Sequence, residues 1–270
     1  MHHAGNSEEV ICKNSSQGGS NVRIGAYTDT GKTRKINEDS FFISNFADDL
    51  NILYCIIADG MGGHNAGELA SKIAIEQISE HIRKTYDKEL NHNEVIALLQ
   101  QSINVANRAI YTKALETDDY FGMGTTAVIG LVHRGDVFIA HVGDSRAYII
   151  RDNNMYQITT DHSMVQELVS NGTITREQAD CHPQKNVITR ALGDKSDVKA
   201  DIYIHTYEKN DIILICTDGL TNMLRDSEIL AEMNGCGNLQ AAVEKLVQLS
   251  NDRGGLDNIT VVAMSLGAAK

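Results

Sequence analysis

The chain has 270 residues, 42% of them hydrophobic, with 24 basic against 36 acidic side chains and a net charge of -12. That length suits one large domain or two small ones, and the apolar fraction is enough for a continuous core. A single proline and 5% aromatics exclude a Pro-rich or disordered scaffold, and the acidic balance disfavours sequence-independent nucleic-acid binding, which needs excess Lys and Arg.

In chain order, residues 1–20 are polar and end in Ser15-Ser16-Gln17-Gly18-Gly19-Ser20. They read as a flexible tail or an expression remnant, with one folded domain expected over 21–268. A strand is expected at 40–44. Apolar runs at 52–58, 125–133, 137–142, 147–151, 212–217 and 259–265 read as buried strands, being too short for helices. Arg134-Gly135-Asp136 and Gly143-Asp144-Ser145 are compact turn signals, so antiparallel hairpins are expected and not a βαβ alternation. Helical spacing marks 66–83 through Leu69, Ile73, Ile78 and Ile82, and 94–115 through Leu99, Ile103, Ala106, Ile110 and Ala114. Leu239, Ala242, Val243, Leu246 and Val247 form a third stripe. The stretch 160–197 is polar, lacks a strand pattern and contains the capping-box signature Thr175-x-x-Gln178. It reads as an excursion from the sheet edge with a short helix. Strands in two sheets with helix pairs outside are expected.

The five cysteines, Cys12, Cys55, Cys181, Cys216 and Cys236, are odd in number and never at C-x-x-C spacing. Reduced thiols and a cytoplasmic location are expected. No apolar run of 18 residues and no signal peptide are apparent, so a soluble protein without membrane attachment is expected.

Three apolar runs end on an aspartate: 52–58 on Asp59-Gly60, 212–217 on Asp218-Gly219 and 137–143 on Asp144. Asp and Gly are ordinary turn residues, which explains any one of these alone. Asn37-Glu38-Asp39 and Asp257-Asn258 extend the set. Carboxylates at strand ends can converge, and two anions about 5 Å apart repel by roughly 3 kcal/mol at an effective dielectric near 20. Such a cluster requires cations, protonation or a basic partner. Oxygen ligands without paired cysteines favour Mg²⁺ or Mn²⁺ over structural zinc. Arg34, five residues before Asp39, is placed to bind phosphate oxygens bidentately. Gly60-Met61-Gly62-Gly63-His64 permits close backbone approach but is no P-loop.

Taken together, Asp29-x-Gly31-x-x-Arg34-x-x-Asn37-Glu38-Asp39, Ala58-Asp59-Gly60-Met61-Gly62-Gly63-His64, Gly122-Met123-Gly124-Thr125-Thr126, His141-Val142-Gly143-Asp144-Ser145-Arg146, Thr217-Asp218-Gly219-Leu220 and Gly255-x-Asp257-Asn258-Ile259-Thr260 resemble the motifs of bacterial metal-dependent protein phosphatases of the type 2C (PPM) family. They occur in family order, over about 22–266. The resemblance implies an α+β fold, a four-layer α-β-β-α sandwich of two antiparallel sheets flanked by helix pairs. It further implies two Mn²⁺ or Mg²⁺ ions, with Asp59 bridging them, the Gly60 carbonyl on the first, and Asp218 and Asp257 on the second. Glu38 and Asp39 would ligate or orient metal-bound waters, Asp144 with Asp218 would serve a third ion, and Arg34 would bind substrate phosphate. The stretch 160–197 matches the family's variable flap. The implied reaction is hydrolysis of phosphoserine and phosphothreonine by a metal-bridging hydroxide, without a phosphoenzyme. The leaving oxygen needs a proton, for which His64 is the nearest candidate in sequence and His162 and His182 are alternatives; His141 reads as a satisfied core residue. Expected partners are phosphoproteins, including a bacterial Ser/Thr kinase, with no nucleic acid and no membrane, and a monomer is expected. A catalytically silent phosphoprotein-binding relative, a phosphatase of an anti-sigma-factor antagonist and a two-metal nuclease are the rival readings.

Overall fold

The computed structural model describes residues 22–44, 52–63, 66–236 and 238–267; the tail at 1–20 and His64 lie outside them. In chain order the elements are β1 (Arg23–Asp29), β2 (Asp39–Ile43), β3 (Leu53–Met61), α1 (Ala66–Thr85), α2 (His92–Ala114), β4 (Gly124–Thr125), β5 (Ala127–His133), β6 (Asp136–Val142), β7 (Arg146–Arg151) and β8 (Asn154–Gln157). They continue with α3 (Met164–Ser170), α4 (Arg176–Asp180), β9 (Asp201–Thr206), β10 (Ile212–Cys216), α5 (Asp218–Thr221), α6 (Asp226–Gly235), α7 (Leu239–Asp252) and β11 (Ile259–Ser265).

Two antiparallel sheets result, ordered β1-β11-β10-β7-β8 and β2-β3-β5-β6-β9, with the short β4 beside β3. Between them lies a shared apolar layer in which Cys55, Ile57, Val128 and Ile139 of one sheet meet Ile215, Val262 and Ala147 of the other. The outer face of the β3 sheet is covered by α1 and α2 through Ile78, Ile82, Leu99, Ile103 and Ile110. The outer face of the β11 sheet is covered by α5, α6 and α7 through Leu220, Ile229, Val243 and Leu246. This is the expected four-layer arrangement. It explains why β3, β6 and β11 read as continuous apolar runs: central strands are buried on both faces.

Local chemistry sets the boundaries. Asn91 and Glu94 form a reciprocal capping box that starts α2, two residues earlier than helical spacing alone suggests. Thr175 and Gln178 do the same for α4, as expected. Positive φ at Arg134 (48°) and Gly135 (88°) makes a two-residue turn between β5 and β6; Asp152 (49°) and Asn153 (59°) repeat it between β7 and β8. The turn at Gly143-Asp144-Ser145 is different. It does not close a hairpin, because β6 and β7 belong to opposite sheets; the buried runs on either side face separate helix layers, so the turn carries the chain across the sandwich. The excursion at 160–197 leaves the edge strand of one sheet, β8, and returns into the edge strand of the other, β9.

Candidate functional site

The aspartates gather at one mouth of the sandwich, supplied by both sheets. Asp39 opens β2 and pairs across to Asp59 near the end of β3. Asp144 sits in the crossing turn, Asp218 begins α5 directly after β10, and Asp257 precedes β11. Burial first, then the charges of Asp39, Asp218, Asp144 and Asp257, push the Asp59 carboxyl well above its ordinary value. Burial and the Asp218 charge likewise raise Asp144 to about 8. Burial and Asp257 raise Asp218 to about 6, against a 2.8 Å hydrogen bond donated by Asn222 Nδ2.

Asp39 is held most firmly. Its Oδ2 accepts from Thr217 Oγ1 (2.9 Å) and Thr260 Oγ1 (2.7 Å), so one carboxylate on β2 fastens the end of β10 and the start of β11 in the opposite sheet. Burial nonetheless raises it to about 7, with those two hydroxyls opposing the shift. A second hydroxyl group surrounds Asp59. Its backbone N–H donates to Thr126 Oγ1 (3.0 Å), its carbonyl accepts from Thr125 Oγ1 (2.8 Å), and Thr126 Oγ1 lies 2.8 Å from Ser145 Oγ, beside Asp144.

The neighbouring loop carries Arg34 and Glu38. Asn258 clips it down: Oδ1 accepts from the Glu38 N–H (2.8 Å) while Nδ2 donates to the carbonyls of Thr30 and Ile36 (both 2.9 Å). Arg34 Nη2 then reaches Asp257 Oδ2 at 2.8 Å, and its Nη1 lies 3.8 Å from Glu38 Oε2. Gly60 and Gly67 let α1 press against this corner; a Cβ on Gly60 would collide with the Gly67 carbonyl, and one on Gly67 with Glu38 Oε1.

The histidines divide. His162 is buried, with Nδ1 accepting from the Gly143 N–H (3.0 Å) and Nε2 3.1 Å from Asp201 Oδ2. Both nitrogens are engaged, so it anchors the crossing turn and offers no proton to the mouth. His182 Nδ1 accepts from the Gln184 N–H within the excursion. His141 corrects the expectation of a satisfied core residue: it is fully buried, neither ring nitrogen meets a hydrogen-bond partner, and it stacks on His162 at 4.5 Å. Burial and the neighbouring His162 lower it to about 3, so it stays neutral.

Sequence reasoning did not assign roles to the threonines, Ser145, Asn258, or Arg146, which grips Asp161 with Nε (3.0 Å) and Nη2 (2.6 Å). The available signal was polar residues flanking buried strands, where an unpaired hydroxyl or amide would be costly.

The residues fit divalent cations. Asp39 Oδ1, Asp144 Oδ1 and Glu38 Oε1 are buried without a hydrogen-bond partner, and hard oxygen donors are what Mg²⁺ and Mn²⁺ take. As placed, no three His, Cys, Asp or Glu side chains among the described residues enclose a single point, since Asp257 is turned to Arg34 and Asp218 to Asn222.

A family model described as protein phosphatase 2C matches residues 31–258. The serine/threonine phosphatase stp of Listeria welshimeri is 38% identical over 235 residues, covering 87% of this chain and 92% of its own. The structure of the S. agalactiae serine/threonine phosphatase superimposes with a TM-score of 0.83 at 38% identity, over 90% of this chain and 98% of that one. The catalytic domain of the serine/threonine protein phosphatase PstP, solved in complex with two manganese ions, gives a TM-score of 0.79 at 32% identity over 91% and 98%. On this coverage and identity, the chain belongs to the protein phosphatase 2C family.

Proposed function

We infer that the chain removes phosphate from phosphoserine and phosphothreonine in proteins, using divalent ions held at the acidic mouth. It is a metal-dependent protein serine/threonine phosphatase. The observation that carries the metal reading is the mutual repulsion of Asp39, Asp59, Asp144, Asp218 and Asp257, offset only in part by Arg34 and Arg146. Asp59 with the Gly60 carbonyl, together with Asp218 and Asp257, would hold two Mn²⁺ or Mg²⁺ ions; Asp39 and Glu38 would ligate or orient water there, and Asp144 with Asp218 would take a third ion. Bound ions supply the Lewis acidity that activates water and balances phosphoryl charge.

The chain's own residues do the rest. Arg34 spends one of its five N–H donors on Asp257, leaving others to orient phosphate oxygens. Asn258 fixes the loop from which Arg34 reaches out, and Asp39 keeps the two sheets in register beneath it. His64 is the proposed proton donor to the leaving oxygen, on its sequence position beside Asp59. With Asp59, Asp218 and Asp257 all at the mouth, the silent-binder reading loses its ground. A bacterial Ser/Thr kinase is the proposed partner among substrates, and a monomer the proposed state. A cytoplasmic location is proposed, in keeping with Cys55 and Cys216 being free thiols. No helix among the described residues is long and apolar enough to cross a membrane.

The test compares wild type with Asp59→Asn on p-nitrophenyl phosphate and a phosphothreonine peptide in Mn²⁺ and in EDTA. Activity should vanish in EDTA and fall more than about 100-fold in the variant, beyond the loss usual for groups that merely support a metal ligand. Equal rates in the two proteins would overturn the assignment.

A further inference from the structure

The two most exposed large apolar side chains among the described residues are Phe121 (81%) and Leu115 (68%). Both line the same cavity of about 290 Å³, with Met61, Tyr111, Met123 and Ile188. Large apolar groups standing in water beside one another mark a contact surface more often than chance. The volume is at the small end of the roughly 300–1,000 Å³ typical of ligand pockets; it suits one bulky side chain and not a helix. Its charged lining is confined to Arg190, which is committed to Asp201 at 2.8 Å, and Asp194.

What ties this cavity to the reaction is its continuity with the metal corner. Met61 is the last residue of β3, two positions beyond Asp59, and a strand advances about 3.3 Å per residue, which puts it roughly 7 Å along. Thr125, the partner of Gly60 in β4, donates its hydroxyl to the Asp59 carbonyl at 2.8 Å. The same Thr125 exchanges backbone hydrogen bonds with Leu192 (3.1 and 2.9 Å), where the excursion returns. Cavity wall and Asp59 strand are therefore one hydrogen-bonded unit. On the other side of the mouth, the larger cavity bordered by Asp144 and Asp218 mixes apolar side chains such as Tyr156, Val165 and Met223 with Arg176, Lys185 and Arg225, so the cavity on the Met61 side is the less charged of the two.

We propose that this cavity seats a large apolar side chain of the phosphoprotein substrate, two or three residues from the phosphorylated serine or threonine. The proposal rests on the phosphatase reading of the metal corner. An extended peptide whose phosphate lies at Asp59 places its second neighbour about 7 Å away, the distance to Met61. Phe121 and Leu115 then close over that side chain and lose their exposure to water.

The experiment uses Phe121→Ala and Leu115→Ala, whose exposed side chains leave the fold intact. Three rates are measured with Mn²⁺: p-nitrophenyl phosphate, and two sets of phosphothreonine peptides identical except for Leu or Ser at each position from two to three residues on either side. Sedimentation is run in parallel. Wild type should prefer a Leu peptide at one position by about 10-fold, carried by KM. Both variants should bring that ratio close to 1 while p-nitrophenyl phosphate turnover is unchanged. A ratio near 1 in wild type, or one the variants do not alter, overturns the proposal. So does a variant effect confined to sedimentation, which would make the cavity a contact between copies. Failure of wild type on p-nitrophenyl phosphate itself would strike the phosphatase reading instead.

Discussion

Asp39 and Asp144 belong to the same acidic mouth, and both are buried carboxyls with raised protonation, yet they are supported in different ways. Asp39 Oδ2 is pinned by two threonine hydroxyls from the other sheet, whereas Asp144 receives no hydroxyl and sits in a turn whose backbone is anchored by His162; the Oδ1 of each meets no donor. Hydroxyl donors make one oxygen of a buried acid a fastener, while the bare oxygen of either acid still calls for a cation.

The largest effect expected of this contrast is in the metal-free protein. Asp218, Asp39 and Asp144, raised to about 6, 7 and 8, hold protons in the folded state that they release near 4 when unfolded. Their contribution is therefore fully present below about pH 4 and is lost as pH rises through 6 to 8. In EDTA the stability should drop across that window by on the order of several kcal/mol, read as a fall in melting temperature, and Mn²⁺ should restore it. Asp144→Asn should flatten the upper part of the decline; an unchanged slope would refute the assignment to Asp144. Next in size, Asp39→Ala removes the acceptor shared by Thr217 and Thr260, which keep only their bonds to the Thr260 N–H and to Thr28 Oγ1, and should cost about 3 kcal/mol by urea unfolding, with or without metal. If Asp39→Ala were instead neutral, the two acids would be alike. Smallest, Asn258→Ala removes three hydrogen bonds from the Arg34 loop and should cost about 2 kcal/mol. It should also raise KM for phosphopeptide, since Arg34 would no longer be held over the mouth.

The sandwich was legible because its strands are long apolar runs and its helices carry clear stripes; the α7 stripe from Leu239 to Val247 is buried as expected. Edge strands were harder. β8 and β9 alternate weakly and face solvent, so Asn154–Gln157 and Asp201–Thr206 carry no strong period. The crossing turn at Asp144 looked like a hairpin because turn chemistry is local, while the choice of sheet depends on which helix layer covers the following run. At the mouth, the carboxylates announced themselves by position after apolar runs. Their hydroxyl partners did not: Thr126, Thr217 and Thr260 lie inside strand patterns where threonine is an ordinary strand residue, and only the register brings them to the acids.

The bond from Asp39 to Thr217 and Thr260 also bears on how the protein gains activity. One sheet contributes Asp39 and Asp59, the other contributes Asp218 and Asp257, and neither half holds a working set of ligands. Competence to turn over substrate is thus a late event in folding, arriving only when the halves dock, so a partly opened molecule should fall silent before it loses its helices.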